Sequence, residues 1–486
     1  MHKLKIADRD LYNIYLNYNQ SNSIYITNAT FFTNTLVFNG DWARGNTILI
    51  LLYPILSLAV DRISGKTLDA ETRILFLADP QIEGDAKISK QGIRGEIDLF
   101  ANDLYFRHIY TSFVSPYSLF RPPPTHVIIL GDLFSSQWIG DQEFERRVQR
   151  YKWIFGDPNN EYTHKLINLT GNHDIGYNRD MTRYRVNRWE REFGSTNFVE
   201  KIPLKKEINN NNTKEEDEDG VDNESGTHHL IVVNAQNIDG PARDEDLRSE
   251  TWNFLDSVVA EREKDYHAPF ILLSHIPLHK QSGLCVDWPM ITYDSFNFIN
   301  EQNHLTPNAS KFILTRLKPR FIFAGHDHEG CDVTHVVRVI NKETNDYWIE
   351  SYRTENFEIN KNKILSGDDG REFIVREVTV RSAMGGYGGN AGLFEIRRRH
   401  EKIDAIIDDK DDEKEFEYHY SSCPFVMNHI PWIVLVIDII MIIGWILCGL
   451  FVIVSLLFKN KAYKHWKIQR LSTTSQIPIE NGKKLL

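Results

Sequence analysis

The sequence predicts an α/β fold, two sheets flanked by helices, followed by a C-terminal transmembrane helix. Three observations carry that prediction. Five short apolar runs, RILFLA, HVIILG, KLINLT, FILLS and RFIFA, read as buried strands, because each is a brief hydrophobic segment bounded by turn residues. Segments of helical periodicity lie between them. The stretch 430–458 is a run of about 29 residues with one charge, Asp438, where a bilayer core needs only about 20.

Taken in order, residues 1–46 are rich in Asn and Tyr and carry no readable chemistry. Residues 47–60, TILILLYPILSLAV, are apolar but short for a full span and late for a cleaved signal peptide; they read as a short signal anchor, with a core segment as the alternative. A single large domain occupies 71–396. Its helical stretches are Glu96 to Phe113, with Ile97, Phe100, Leu104 and Ile109 at helical spacing, then 141–155, 180–193 and 246–264. Alternation of strands and helices implies an α/β sandwich, with closing strands Glu372 to Val380 and Gly392 to Ile396 completing a second sheet.

Two segments interrupt this pattern. The stretch 205–226 contains NNNNTKEEDEDG and reads as a solvated acidic insertion. Asn341 to Gly370 reads as loop around short strands. The charged segment 397–429 reads as a linker to the membrane. After the apolar run, the tail 459–486 opens with Lys459, Lys461, Lys464, Lys467 and Arg470, the basic flank expected on the cytosolic side. It closes with Lys483 and Lys484, resembling the dilysine retrieval signal of endoplasmic reticulum membrane proteins read by the COPI coat. Everything before the span is then lumenal, where the sequons at Asn211, Asn223 and Asn308 can be glycosylated; that at Asn168 lies in a buried strand and is silent.

The net charge of −11 argues against a nucleic-acid-binding surface, which needs a basic stripe. Four cysteines are too few for a disulfide scaffold. Cys285 and Cys331 each follow a motif strand closely, so a bridge in an oxidising compartment and a pair of buried free thiols are both open readings.

The chemistry lies at the strand ends. Asp79 sits in LADPQ, Asp132 in LGDLF, Asn172 and His173 in TGNHD, His275 in LSHIP, and His326 and His328 in AGHDH. Open α/β folds build sites at such ends. Carboxylates, an amide oxygen and imidazoles are the donors that divalent ions take when two of them clamp a phosphoryl group. Zinc, iron or manganese would suit this set.

These motifs resemble the calcineurin-like metallophosphoesterases, over residues 73 to about 335. The resemblance implies a four-layer sandwich holding two ions: Asp79, Asp132 and His328 on the first, Asp132, Asn172, His275 and His326 on the second. Asp132 would bridge them, and His173 would contact the phosphate and protonate the leaving group. Two positions depart from the family pattern. Gln81 stands where the first motif carries His, a weaker neutral ligand. Ser135 stands where a further Asp orients the catalytic histidine. Asp174 reads equally as a cap, a partner of His173 or a substrate contact. Tyr177, Tyr184, Trp189 and Phe193 read mostly as core, and His279 and His335 as plain polar residues.

Within the superfamily, GNHDIGYNRDMTRYRVNRWEREFG, SHIPLHKQSG and AGHDHEGCDVTH resemble the animal and fungal reticulum enzymes that remodel glycosylphosphatidylinositol (GPI) anchors. That resemblance implies removal of a side-branch ethanolamine phosphate from a mannose of the anchor, manganese as the metal, GPI-anchored proteins as substrate, and p24-type cargo receptors downstream. Asp180 and Glu190 are candidates to meet the cationic ethanolamine, by proximity to the third motif alone. Two other readings stand beside it: the same chemistry on another lumenal phosphoester, and a non-catalytic cargo-sorting factor, motivated by Gln81 and Ser135.

Overall fold

The structure is a computed structural model that describes residues 70, 72–114, 123–156, 164–203, 227–264, 268–341, 346–365, 372–398, 416–424 and 430–474. The segments 1–46 and 47–60, the whole acidic insertion 205–226 and the Lys483–Lys484 pair lie outside the described residues. The chain divides into two units, Met1–Phe425 and Val426–Leu486.

In the first unit the strands are β1 (Thr72–Leu77), β2 (His126–Ile129), β3 (Lys165–Asn168), β4 (Phe198–Ile202), β5 (His228–Val232), β6 (Phe270–Leu273), β7 (Ile291–Tyr293) and β8 (Ile299–Gln302). They continue with β9 (Phe321–Ala324), β10 (Cys331–Asn341), β11 (Asp346–Arg353), β12 (Glu372–Thr379), β13 (Asn390–Arg398) and β14 (Phe416–Pro424). One mixed sheet has the order β14-β13-β1-β2-β3, the other β11-β10-β12-β9-β6-β5-β4, and β7-β8 form a small ribbon. Within them β1-β2-β3 and β5-β6-β9-β12 run parallel.

The period-two alternation of the strands assigns their faces. Ile74 and Phe76 of β1, Ile128 of β2, Leu230 and Val232 of β5, Ile271 and Leu273 of β6, and Phe321 and Phe323 of β9 share one apolar cluster. That cluster joins the inner faces of the two sheets, with Phe76 stacked on Phe323 at 4.2 Å. The alternate residues Leu75 and Leu77 pack with Phe106, Phe144, Val148 and Trp189 from helices Ile93–Val114, Asp141–Phe155 and Arg183–Phe193. Ile231, Leu272 and Ile322 pack with Leu255 and Val258 of helix Glu245–Lys264. Each sheet therefore has helices on its outer face.

The structure corrects four readings. Helix Ile93–Val114 buries Leu99, Phe106, Ile109, Tyr110 and Phe113, while Ile97 and Phe100 face solvent. Its inner face also accommodates Asp103, held by Arg150 at 2.6 Å, a polar residue that hid the register of the stripe. The region 341–370 contains the outer half of a long hairpin, β10 with β11, and helix Thr354–Ile364. Its pattern was polar because β11 is an edge strand, with Glu350 reaching Arg338 diagonally across the ladder. The closing strands enter different sheets: β12 joins β9 and β10, and β13 joins β1. The linker segment contains β14, which pairs with β13 from Asn390↔Pro424 to Arg398↔Phe416. Alternation of Phe416, Tyr418 and Tyr420 with Glu417 and His419 makes one face aromatic, and that face packs on Phe321, Phe323 and Phe394.

Cys285 and Cys331 form a disulfide across a separation of 46 residues, which decides between the two open readings. The described residues of the second unit form one helix, Ile430–Thr474, longer than the apolar run itself. Among the described residues it is the one helix long and apolar enough to cross a membrane, over Ile439–Ile468.

Candidate metal centre

Every motif residue follows the C-terminal end of a parallel strand. The first sheet delivers Asp79 from β1, Asp132 from β2, and Asn172 and His173 from β3; the second delivers His275 from β6 and His326 and His328 from β9. Ligand atoms of Asp79, Asp132 and His275 all lie within 4.8 Å of one another, and all three residues are buried. Short turns with unusual backbone make this convergence. Asp79, Gln81, Asp132 and His326 are four of the six non-glycine residues with positive φ among those described. Such conformations cost roughly 1–3 kcal/mol each and persist where the surroundings enforce them. Two glycines make room. At Gly131 (φ 91°) a Cβ would stand 2.5 Å from His275 Nδ1, and at Gly171 it would overlap Asp132 Oδ1.

The hydrogen bonds define which lone pairs remain free. His275 Nδ1 donates to the Leu130 carbonyl at 2.7 Å, so its Nε2 carries a lone pair. That Nε2 lies 3.1 Å from Asn172 Oδ1 and 3.4 Å from Asp132 Oδ1. Three acceptors thus face one another with no proton between them, an arrangement that repels unless a cation sits among them. His326 donates Nε2–H to the Gln302 carbonyl at 2.9 Å, leaving its other nitrogen as the free donor to a metal. Its ring stands 5.1 Å from that of His275. The backbone N–H of His326 donates to both oxygens of Asp79, at 3.2 and 3.0 Å, and His328 Nε2 lies 3.9 Å from Asp79 Oδ1.

Electrostatics agree with that reading. Burial and the adjacent Asp132 charge push the Asp79 carboxyl well above the usual range. Burial acts upward on Asp132, but its carboxyl is held low because ionising it is favoured by any proton that His275, His173 or His326 takes up and by the donated backbone N–H of His173. Burial pushes His275 and His328 down, and His326 down to about 3, so these imidazoles are neutral and able to ligate. Two carboxylates sharing a water-poor site with neutral imidazoles fit a pair of divalent cations.

Six expected ligands, Asp79, Asp132, Asn172, His275, His326 and His328, converge on this locus. Gln81 reaches it too, but with its amide nitrogen: Nε2 donates to Asp132 Oδ2 at 3.1 Å and lies 3.3 Å from His328 Nε2. His173 is partly exposed, its N–H donating to Asp132 Oδ1 at 2.8 Å and its Nε2 lying 3.8 Å from Asp132 Oδ2. Ser135 is engaged elsewhere, accepting from Arg147 Nη1 at 3.0 Å. Asp174 is a cap: it accepts from the N–H groups of Gly171, Leu133 and Phe134 and ties the second and third motifs together. Tyr177, Trp189 and Phe193 are buried, whereas Tyr184 is exposed. Glu190 accepts from Thr196 and closes its own helix end. Asp180 pairs with Arg179 at 3.1 Å.

The reading of the motifs missed the residues that hold the ligands. Gln302, on β8, fixes the tautomer of His326, and Tyr177 Oη stands 3.4 Å from the same nitrogen. Glu377 of β12 accepts from Leu278 N–H and Lys280, both at 2.9 Å, and so secures the loop that bears His275. Only the apolar setting of Glu377 in IVREVTV hinted that a buried charge needed a partner.

Comparison with known proteins gives a match to the model of the family described as calcineurin-like phosphoesterase over residues 72–330. Among relatives, Protein TED1 of Saccharomyces cerevisiae is 28% identical over 453 residues, covering 78% of this chain and 83% of the relative. An uncharacterized protein of Schizosaccharomyces pombe is 30% identical, covering 66% and 69%. Metallophosphoesterase 1 of Danio rerio is 29% identical, covering 62% and 78%.

Proposed function

The chain belongs to the calcineurin-like phosphoesterases and is related to TED1 and Metallophosphoesterase 1; from that premise we propose that it is a two-metal phosphodiesterase that removes a side-branch ethanolamine phosphate from a mannose of GPI anchors. One observation carries the chemistry. His275 Nε2, Asn172 Oδ1 and Asp132 Oδ1 form a set of facing acceptors that a divalent cation would satisfy. Asp79, Asp132 and His328 would hold one ion, and Asp132, Asn172, His275 and His326 the other, with Asp132 shared. When bound, such ions neutralise phosphoryl charge and lower the pKa of the attacking water. Gln81 orients Asp132 through its amide. His173, anchored on Asp132 through its N–H yet open to solvent, is placed to hand a proton to the departing alcohol. Manganese is the metal implied by the resemblance.

The substrate assignment rests on the extended likeness around GNHDIGYNRD, which reaches well past the metal ligands. Two features suit a lumenal enzyme of the reticulum acting on lipid-anchored glycans. The Cys285–Cys331 disulfide suits an oxidising compartment, and helix Ile430–Thr474 suits a membrane anchor with a cytosolic, basic flank. Lys483 and Lys484 would then serve COPI retrieval, and p24-type receptors would take the processed cargo. The test incubates the manganese-loaded chain in detergent with a GPI glycan bearing ethanolamine phosphate and follows product by mass. Loss of ethanolamine phosphate is expected for the wild type and not for Asp132→Asn. Turnover only of other phosphodiesters would reassign the substrate. Absence of both metal and turnover would favour the cargo-sorting reading that Gln81 and Ser135 motivate.

A further inference from the structure

The loops that follow Asp132 and His173 build a second feature, outside the metal ligands. Trp138 and Ile139 come from the first loop and Asp180 from the second, and Gln137 Nε2 bridges the two by donating to Asp180 Oδ2 at 3.4 Å. Trp138, Ile139 and Asp180, with Tyr184, Arg185, Arg188 and Arg243, line a cavity of about 330 Å³. Trp138 is six residues from Asp132, so the cavity lies within about 20 Å of the metal centre by chain reach alone.

Its charge is not balanced internally. Asp141 is taken by Arg188 at 3.1 Å, and Asp180 by Arg179 at 3.1 Å. Arg185 stacks over the Trp138 ring at 4.5 Å and donates to the Asp180 carbonyl, and the Asp180 carboxylate that Arg179 holds is also the charge that faces it. Arg243 is exposed and pairs with no carboxylate among the described residues. Arg188 is 5% exposed, and its Nε has no hydrogen-bond acceptor. Three arginines, Arg185, Arg188 and Arg243, against two carboxylates, Asp141 and Asp180, line the cavity, and Asp180 is shared between Arg179 and Arg185, a balance that favours an anion accepting several hydrogen bonds. Alongside stand two aromatic side chains, Trp138 at 61% and Tyr184 at 59% exposure, which supply flat apolar faces of the kind a sugar ring covers. The volume is near the lower end of ligand pockets, about 300–1,000 Å³, and suits one phosphorylated hexose better than a whole glycan.

We propose that this cavity is a second substrate subsite, binding a sugar-linked phosphate of the glycan while another phosphodiester is cleaved at the metal centre. The inference rests on the anchor-glycan reading for the identity of its natural ligand, but the site itself is defined by Arg185, Arg188, Arg243, Trp138 and Tyr184. Holding the substrate at two phosphates would select a phosphorylated glycan over a simple diester.

The test is calorimetric titration of the full, manganese-loaded chain in detergent with mannose 6-phosphate, mannose and inorganic phosphate. Mannose 6-phosphate is expected to bind more tightly than either of the other two, and to bind the Asp132→Asn variant as well as the wild type. Arg243→Gln, on an exposed side chain, should weaken it about tenfold, and Arg185→Gln in the same chain further. Trp138→Ala should weaken the sugar phosphate and leave inorganic phosphate unchanged. Binding that vanishes in Asp132→Asn and survives in Arg185→Gln/Arg243→Gln would place the phosphate at the metal centre and overturn the subsite. So would hydrolysis of the anchor glycan with an unchanged KM in the double variant. Arginine-dependent binding without anchor-glycan hydrolysis would instead uphold the subsite and remove the substrate assigned above.

Discussion

Two buried polar clusters lie five residues apart on one loop and behave oppositely. At His275 the loop meets Asp79, Asp132 and Asn172, where acceptors face acceptors. At Lys280 it meets Glu377 and His335, where every partner is matched. Lys280 Nζ donates to Glu377 Oε1 at 2.9 Å, His335 Nε2 to Glu377 Oε2 at 2.8 Å, and the Ser351 hydroxyl meets His335 Nδ1 at 2.8 Å. Both clusters are essentially inaccessible to water. Burial and charge alone therefore do not mark a functional centre. A surplus of lone pairs converging on one point does, because such a donor set fits a cation.

The comparison breaks most sharply at Asp132. Asp132→Asn removes a shared ligand, and kcat/KM should fall by more than the roughly 10–100-fold typical of an outer-shell change. Metal content by plasma mass spectrometry should fall with it; retention of two ions at wild-type rate would end the bridging assignment. Glu377→Gln attacks the matched cluster. It leaves Lys280 buried without its counter-charge and should cost about 3–5 kcal/mol in urea unfolding. Bound metal should stay at the wild-type stoichiometry.

Ligand binding separates the clusters next. Manganese added to chelated protein at about 100 times its Kd should stabilise the fold by about 2.7 kcal/mol, a gain absent in Asp132→Asn. Acid separates them by sign. Burial pushes Glu377 up, but Lys280 and His335 prevail and hold it at about 2 against an ordinary 4.5. Its stabilisation is present above pH 4.5 and is lost as pH falls towards 2. Asp79 in chelated protein does the reverse: its raised folded value favours the protonated native state, an advantage lost as pH rises through that value. Urea unfolding of chelated protein between pH 5 and 2.5 should show an acid limb that Glu377→Gln flattens. An unaltered limb would remove Glu377 as its source.

The smallest expected effect concerns Gln81. Gln81→His restores an imidazole where an amide now donates to Asp132, and should tighten manganese at the first position on the order of tenfold, about 1.4 kcal/mol. Competition with a chelating dye would read it, and an unchanged affinity would show that position 81 faces the site without serving it.

Much of this centre was legible in the linear chain, since a short apolar run ending in Asp, Asn or His is a local pattern. Asp79, Asp132, Asn172, His275, His326 and His328 could each be placed at a strand end without knowing which strand lay beside which. The apolar run ending at Phe458 was legible for the same reason, because hydropathy is summed over neighbours in sequence. What required tertiary structure was everything set by partners far along the chain. That β1, β2 and β3 belong to one sheet and β6 and β9 to another, so that the site draws on both, follows from pairings no local period encodes. β14 escaped because its aromatic face gains meaning only against Phe321 and Phe394. Position alone could not say which way Gln81 turns, that Asp174 is a cap, or that Arg185 and Arg188 of one helix line a cavity with Arg243, since these depend on what the fold brings together. Sequence carries the identity of the donors and acceptors; only the folded chain decides which of them are left unmatched.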